Sequence, residues 1–289
     1  MRITWFNNAS ILIEENGERL LFDPFVPFDG AENPTSIDTY LALNAKHILI
    51  THGHLDHLLN VPELAVRSDV QIYCTQTPAR TLRKYGVSES QITVIKPGDH
   101  LSFSRETPQS GPATLPSFEA DVKQGRHVRF DPPLVLRTLF NRRMFQYKRG
   151  RRLILQHHKN FPERGEAVIF EIHACGTAKA SGGAFGANYD GGKCVQVIGS
   201  MSLDTKETYR QRADCLILPY QGHTDMVGTA LTLAKKLFPR KILLDHFDDA
   251  FPPVSGHGVD TAAFLEAMSY RHNEVEVIVP QAGVPIDID

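Results

Sequence analysis

The stretch His47-Ile-Leu-Ile-Thr51-His52-Gly53-His54-Leu55-Asp56-His57 joins an apolar run to a dense set of metal-ligand side chains. His47–Thr51 is a continuous apolar segment of the kind that forms a buried strand. Three imidazoles and a carboxylate within the next six residues make up the composition of a first-row metal site. Residues i and i+2 of an extended backbone point to one side, so His52 and His54 can grip a single ion. As the chain turns toward a helix, Asp56 and His57 can face a second ion. Gly53 lets the backbone bend tightly between them. One histidine in a polar loop would carry no such meaning. Four ligand-type residues in His-x-His-x-Asp-His order, directly after a buried strand, do.

Working outward, the first half reads as short strands with turns. Arg2–Phe6, Ala9–Glu14 and Arg19–Phe22 are β-type runs, the last two joined by a turn at Asn16-Gly17. Val70–Cys74 and Ile92–Ile95 resemble the His47–Thr51 strand. A helix is expected at Pro78–Tyr85 between them, with Thr77 as its cap. In the second half, Val168–His173, Cys194–Ile198, Cys215–Leu218, Lys241–Leu244 and Val275–Val279 read as strands. Thr224–Leu237 has Met226, Ala230, Leu233 and Leu237 at helical spacing, and Thr261–Ser269 is a second helix. Interleaved strands and helices give an α/β layered architecture. Arg105–Arg164, irregular and basic, and Gly176–Gly192, rich in glycine, fit neither pattern. No repeat or composition break marks a linker, so 1–289 is expected to be one domain with a basic insertion around 105–164.

Composition narrows the class. A chain of 289 residues with 42% hydrophobic and 22% charged residues is neither disordered, collagen-like nor a small disulfide scaffold. Its formal net charge of −2 gives no global attraction to nucleic acid or an anionic membrane, so such binding has to be local. The four cysteines (Cys74, Cys175, Cys194, Cys215) form no Cys-x-x-Cys pair and read as reduced thiols. The N-terminal residues lack an apolar signal segment, and no run approaches 18 apolar residues. A cytoplasmic protein with no membrane span is expected.

The His-x-His-x-Asp-His motif after an apolar strand resembles the signature of the metallo-β-lactamase-fold hydrolases. Trp5–Glu14 followed by Leu20-Leu-Phe-Asp-Pro24 resembles their opening hairpins and Asp-Pro turn. The resemblance covers residues 1–95 and runs from Val168 to the C-terminus. It implies an α/β fold built as a four-layer αβ/βα sandwich with two divalent metal ions at one edge. Within that fold the hairpins are similar to those of phosphodiesterases and sugar-phosphate lactonases. Carried over residue by residue, it implies His52, His54 and a later histidine on one ion, and Asp56, His57 and His246 on the other. For the later histidine, His127 fits best; the pair His157-His158 stays open, and His100 lies in a surface turn. Asp204, in Asp204-Thr205, is expected to bridge the ions. The family commonly has Gly-Asp at the strand end, however, whereas here Ser200-Met-Ser-Leu203 separates Gly199 from Asp204, and Asp190 remains a rival. Zinc is the expected ion, and manganese or iron suits the same ligands. The resemblance further implies a hydroxide, shared by the ions, that attacks an ester, phosphodiester or lactone of an anionic substrate. Asp56 would accept its proton, and Asp23 would brace the ligand loop.

Leu218-Pro-Tyr-Gln-Gly-His-Thr-Asp225 follows a strand and opens a helix. His223 or Tyr220 can therefore serve as a proton donor to the leaving group, or Thr224 or Asp225 simply caps the helix. His257 is a further loop candidate. Arg137–Arg152 contains seven basic residues, no acid, and the interleaved aromatics Phe140, Phe145 and Tyr147. It suits a substrate phosphate, a nucleic-acid backbone, an anionic lipid surface, or no ligand at all. Gly192-Lys193 only imitates a phosphate loop: Ala187 replaces the first glycine and a strand follows. Two other readings stand beside hydrolysis: a metal-dependent oxidoreductase, opposed by His54 where the di-iron branch has Glu, and a non-catalytic RNA- or partner-binding member of the fold.

Overall fold

Asn16 and Gly17 both adopt left-handed backbone (φ 51° and 81°), the pairing that closes a tight two-residue hairpin. This turn joins β2 (Ser10–Glu15) to β3 (Glu18–Phe22), and β1 (Arg2–Asn7) lies antiparallel to β2. β4 (His47–Leu49), β5 (Gln71–Cys74) and β6 (Ile92–Val94) then add in parallel, while β14 (Pro285–Asp287) pairs with β1. The first sheet thus runs β14-β1-β2-β3-β4-β5-β6. The second sheet mirrors it. β7 (His100–Phe103), β8 (Phe118–Gln124), β9 (Val168–Ala174) and β10 (Cys194–Ile198) are antiparallel. β11 (Cys215–Pro219), β12 (Lys241–Asp245) and β13 (Glu276–Ile278) continue from β10 in parallel.

Three apolar layers hold the architecture. Between the sheets, Ile3, Trp5, Ile11 and Phe22 of the first meet Phe118, Phe170, Val197 and Leu243 of the second. Outside the first sheet, Leu21, Ile48 and Ile72 are covered by α1 (Ile37–Ala42), α3 (Val61–Arg67) and α4 (Gln76–Lys84). Outside the second, Leu216 and Ile242 are covered by Leu233 of α6 (Met226–Leu237) and by Phe264 and Met268 of α7 (Ala262–Arg271). The result is the expected helix–sheet–sheet–helix sandwich. Also among the described residues are α2 (Leu55–Leu58), which carries ligand-type residues, and α5 (Lys148–Asn160).

This computed structural model describes residues 1–104, 117–128, 147–162, 164–175, 192–252 and 258–289, with Pro132, Phe140, Arg142 and Gln146. In α5 the side chains at 149, 150, 153, 154, 157 and 158 are not described. Asp190, His257, most of the glycine-rich run and much of the basic insertion therefore lie outside the described residues. No helix among the described residues is long and apolar enough to cross a membrane.

Two local expectations are corrected. Part of the stretch expected to be irregular is β8. Its Phe118, Ala120 and Val122 enter the core, while Glu119, Asp121 and Lys123 take the outer face beside His100, His173 and Glu171. Thr77 does not cap α4 with its own side chain. Thr75 is the N-cap, and the Glu166 carboxylate accepts from the Thr77 amide (2.6 Å) and hydroxyl (2.8 Å). A carboxylate suits the positive end of a helix.

Candidate metal centre

Strand ends from both sheets meet at one edge. The hexad 52–57 follows β4 and opens α2; His127 follows β8, and His246 follows β12 directly. Two glycines permit the close approach. A Cβ on Gly199, at the end of β10, would stand 2.2 Å from Thr51 Oγ1, and one on Gly53 would stand 2.7 Å from the Pro162 carbonyl oxygen.

Two groups of three ligand atoms result, each with its members within 4.8 Å of one another: His52, His54 and His127, and Asp56, His57 and His246. In the first, His52 Nε2 and His54 Nδ1 are 3.2 Å apart, and the His127 ring lies 4.4 Å from that of His54. In the second, Asp56 Oδ2 is 3.0 Å from His246 Nε2 and 3.8 Å from His57 Nε2. The groups adjoin, since the rings of His52 and His57 are 3.9 Å apart.

Surrounding oxygens orient these ligands. Asp23 accepts from His57 Nδ1 (2.8 Å), from the Thr51 hydroxyl (2.5 Å) and from the Thr51 amide (2.8 Å). His127 Nδ1 donates to the Val128 carbonyl (2.7 Å), and His246 Nδ1 donates to Gln221 Oε1 (2.7 Å). A carbonyl only accepts, so these partners place the ring proton on Nδ1 and leave Nε2 as the lone-pair donor. The donor set fits a divalent transition metal in both groups: neutral imidazoles in one, two imidazoles and a carboxylate in the other.

The electrostatics of the two groups differ. Burial, aided by His57, His54 and His127, holds His52 well below the ordinary imidazole range, so it is neutral as a ligand must be. Burial alone would raise the Asp56 carboxyl, but His57, His246 and His54 outweigh it and keep Asp56 ionised. Burial likewise opposes charge on His246, yet its hydrogen bond to Asp56 raises it. Beneath them, burial pushes the Asp245 carboxyl well above its usual range.

Asn8 and Gln221 touch the clustered side chains and were not singled out by sequence reasoning. Asn8 sits in the turn after β1 with φ 43°. Its side-chain amide donates to the Asp56 carbonyl (3.1 Å) and reaches Asp56 Oδ2 (3.4 Å). Its carbonyl accepts from the His246 amide (2.7 Å) and Trp5 Nε1 (2.8 Å), and its own amide donates to Asp248 Oδ1 (2.9 Å). One residue of the first sheet thereby fixes ligands drawn from both. Asparagine in a turn after a strand is too common to signal this.

Asp204 is not brought into either group: its Oδ2 accepts from Arg126 Nε (2.6 Å) and its Oδ1 from the Lys206 amide (2.8 Å). An isolated bridge pairs Leu203, just before Asp204, with Gly125, directly after β8. The position directly after Gly199 belongs to Ser200, which is buried and whose Oγ accepts from the Val128 amide (2.9 Å). His223 lies in the loop before α6, two residues beyond Gln221, and its Nδ1 accepts from the Asp225 amide (3.0 Å). Asp225 is the α6 N-cap. Tyr220 is buried against Phe264 and faces the core rather than the centre. His100 pairs with Asp121 (2.8 Å) on the second sheet's outer face.

The metallo-beta-lactamase superfamily profile matches residues 3–140, which include the hexad and His127. Across the whole chain, a metallo hydrolase from Ignicoccus hospitalis superposes with a TM-score of 0.58 at 17% identity, covering 100% of this chain and 99% of that one. The fold is the metallo-beta-lactamase fold. A second structure with this fold, an isothiocyanate hydrolase from Delia radicum gut bacteria, gives a TM-score of 0.55 at 16% identity with the same coverage. By sequence, a protein named UPF0173 metal-dependent hydrolase from Methylacidiphilum infernorum is 33% identical over 103 residues. That match takes in 36% of this chain and 43% of the relative's length.

Proposed function

We propose that the chain is a metal-dependent hydrolase with a two-ion centre, in which His52, His54 and His127 hold one divalent cation and Asp56, His57 and His246 the other. The observation that carries this is the convergence of two three-donor groups, in which Asp23, Val128 and Gln221 hold Nδ1 of His57, His127 and His246. Zinc suits these donors, as do manganese and iron. When bound, such a pair of cations supplies Lewis acidity and lowers the pKa of water toward neutrality.

The chain's own residues supply orientation and proton transfer. Asp56, kept ionised by its histidine neighbours, is placed to accept the proton of the attacking water at Oδ2. Gln221 and Asn8 hold His246 and Asp56 in register. His223, whose Nδ1 is held beside the Asp225 backbone, is the donor to the leaving group through its free edge at Nε2. The substrate is an ester, phosphodiester or lactone, and the basic insertion selects an anionic one. The superfamily profile and the naming of the M. infernorum relative as a metal-dependent hydrolase support this reading.

The test is elemental analysis of the purified protein with turnover of bis-p-nitrophenyl phosphate and lactones under Zn, Mn and Fe. Two equivalents are expected in the parent, with loss of metal and turnover in His54→Ala and His246→Ala. Unchanged metal content and activity in both variants refutes the assignment.

A further inference from the structure

Between Asp131 and Glu163 lie eight of the chain's 31 lysines and arginines and none of its 33 acids, which leaves a formal charge of −10 on the rest. α5 presents part of this charge on one face. Lys148, Arg151, Arg152, Leu155 and Gln156, spaced i, i+3, i+4, i+7 and i+8, line a cavity of about 620 Å³, and Lys159 is exposed on the same side. From Lys148 to Lys159 the row of cations extends roughly 16 Å at 1.5 Å per residue. The helix also stands beside the centre. α5 packs against α2, which carries Asp56 and His57, and the Pro162 carbonyl just beyond α5 abuts Gly53 of the ligand loop.

We propose that this face of α5 binds the phosphodiester backbone of single-stranded nucleic acid, and that such a strand is the substrate class of the metal centre. The substrate role rests on the hydrolase reading above. A single small anion would engage one or two of these cations, whereas a row this long matches consecutive phosphates. An anionic bilayer would call for an apolar stripe, yet Leu155 is the one apolar side chain described on this face. Exposed Tyr147 and Phe140 lie on the chain leading into the helix, where bases can stack. Hydrolysis adds water across one P–O bond. The water oxygen bonds to phosphorus, and the departing ester oxygen keeps the bonding pair and takes the proton. No oxidant or reductant is needed.

The test measures fluorescence anisotropy of labelled oligo-dT and oligo-U of 4 to 16 nucleotides with metal-stripped full chain between 50 and 200 mM salt. Three phosphate contacts, through Lys148, Arg152 and Lys159, predict a slope of log affinity on log salt of about −2. In K148E/R152E the affinity falls at least tenfold and the slope shrinks by about 1.4. K235E/R271E, the same charge change on exposed positions of α6 and α7, leaves binding intact. Absence of saturable binding, an unchanged slope in K148E/R152E, or Arg152-dependent sedimentation with phosphatidylserine vesicles but no oligonucleotide binding overturns the proposal. If strands fail to bind while nitrophenyl esters are still turned over with two metal equivalents, this inference alone falls. If strands bind but no metal is retained, the hydrolase reading falls and the substrate role with it.

Discussion

The two sheets contribute to the centre in different ways. The first supplies four of the six candidate ligands from one loop after β4, braced from within the same sheet by Asp23 through Thr51 and His57. The second supplies His127 and His246, each from a separate strand end; His127 is held by the carbonyl of the next residue, Val128, but His246 is not braced locally. His246 depends on Gln221 from the next strand and on Asn8 from the opposite sheet. Four of the six residues thus form a local structure that a short segment can specify. The other two join them only once the sheets have packed face to face. Ions bound to both groups would tie the sheets together at this edge, so metal affinity and sheet packing are linked through His127 and His246.

The largest expected effect separates the two groups. His54→Ala removes a donor from the first and His246→Ala one from the second, and each variant should retain one metal equivalent with its turnover abolished. Loss of both ions from either variant would show the groups to be one cooperative unit, which elemental analysis decides. Removing a brace should cost less, about 10–100-fold in metal affinity. Asp23→Ala should weaken retention of both ions because the loop serves both groups, whereas Gln221→Ala should weaken only the second. Competition with a chelator distinguishes these patterns, and equal effects would erase the contrast between the sheets.

Asn8 gives a finer test. Asn8→Gly keeps the left-handed turn but drops the contact to Asp56, so the second ion should weaken while thermal stability without metal holds. Asn8→Ala should cost about 1–2 kcal/mol more stability than the glycine variant, because a plain Cβ disfavours φ 43°. The smallest effect lies on the second sheet's outer face. There His173, and then His100, overcome burial and hold the Asp121 carboxyl well below its ordinary 3.8. A depressed carboxylate contributes stability above its unfolded pKa and loses it as pH falls toward the folded value. Asp121→Asn should therefore be less stable than the parent at pH 7, with the gap closing below about pH 4 and metal content unchanged throughout. Denaturant titrations at both pH values check the sign.

The same contrast explains what the sequence revealed. The hexad, the Asn16-Gly17 hairpin and the apolar strands are short-range patterns, and they stand where periodicity and turn chemistry put them. His127 and His246 came into view only through the family resemblance, because no spacing rule connects them to residue 52. Asp204 stands out in the sequence because Asp-Thr matches a motif, whereas its carboxylate pairs with Arg126 and lies outside both groups. β8 was overlooked because its outward residues are charged on a face that reads as surface. α1 and α3 are brief helices lacking a long amphipathic period. Asn8 and Gln221 gave no signal, since their importance lies in what the folded chain brings beside them.

Three corners of this edge, at Asn8, Asp23 and His246, share left-handed backbone without glycine. Asparagine, aspartate and histidine are the side chains that tolerate such corners best, so the geometry restricts the alphabet available for redesign. Exchanging His246 for aspartate respects the corner while replacing a borderline nitrogen donor with a hard oxygen. Selectivity should then drift from zinc toward manganese, readable as a changed Zn:Mn ratio after equilibration with both ions. A β-branched residue at the same corner would spoil the chain path before any question of metal preference arose.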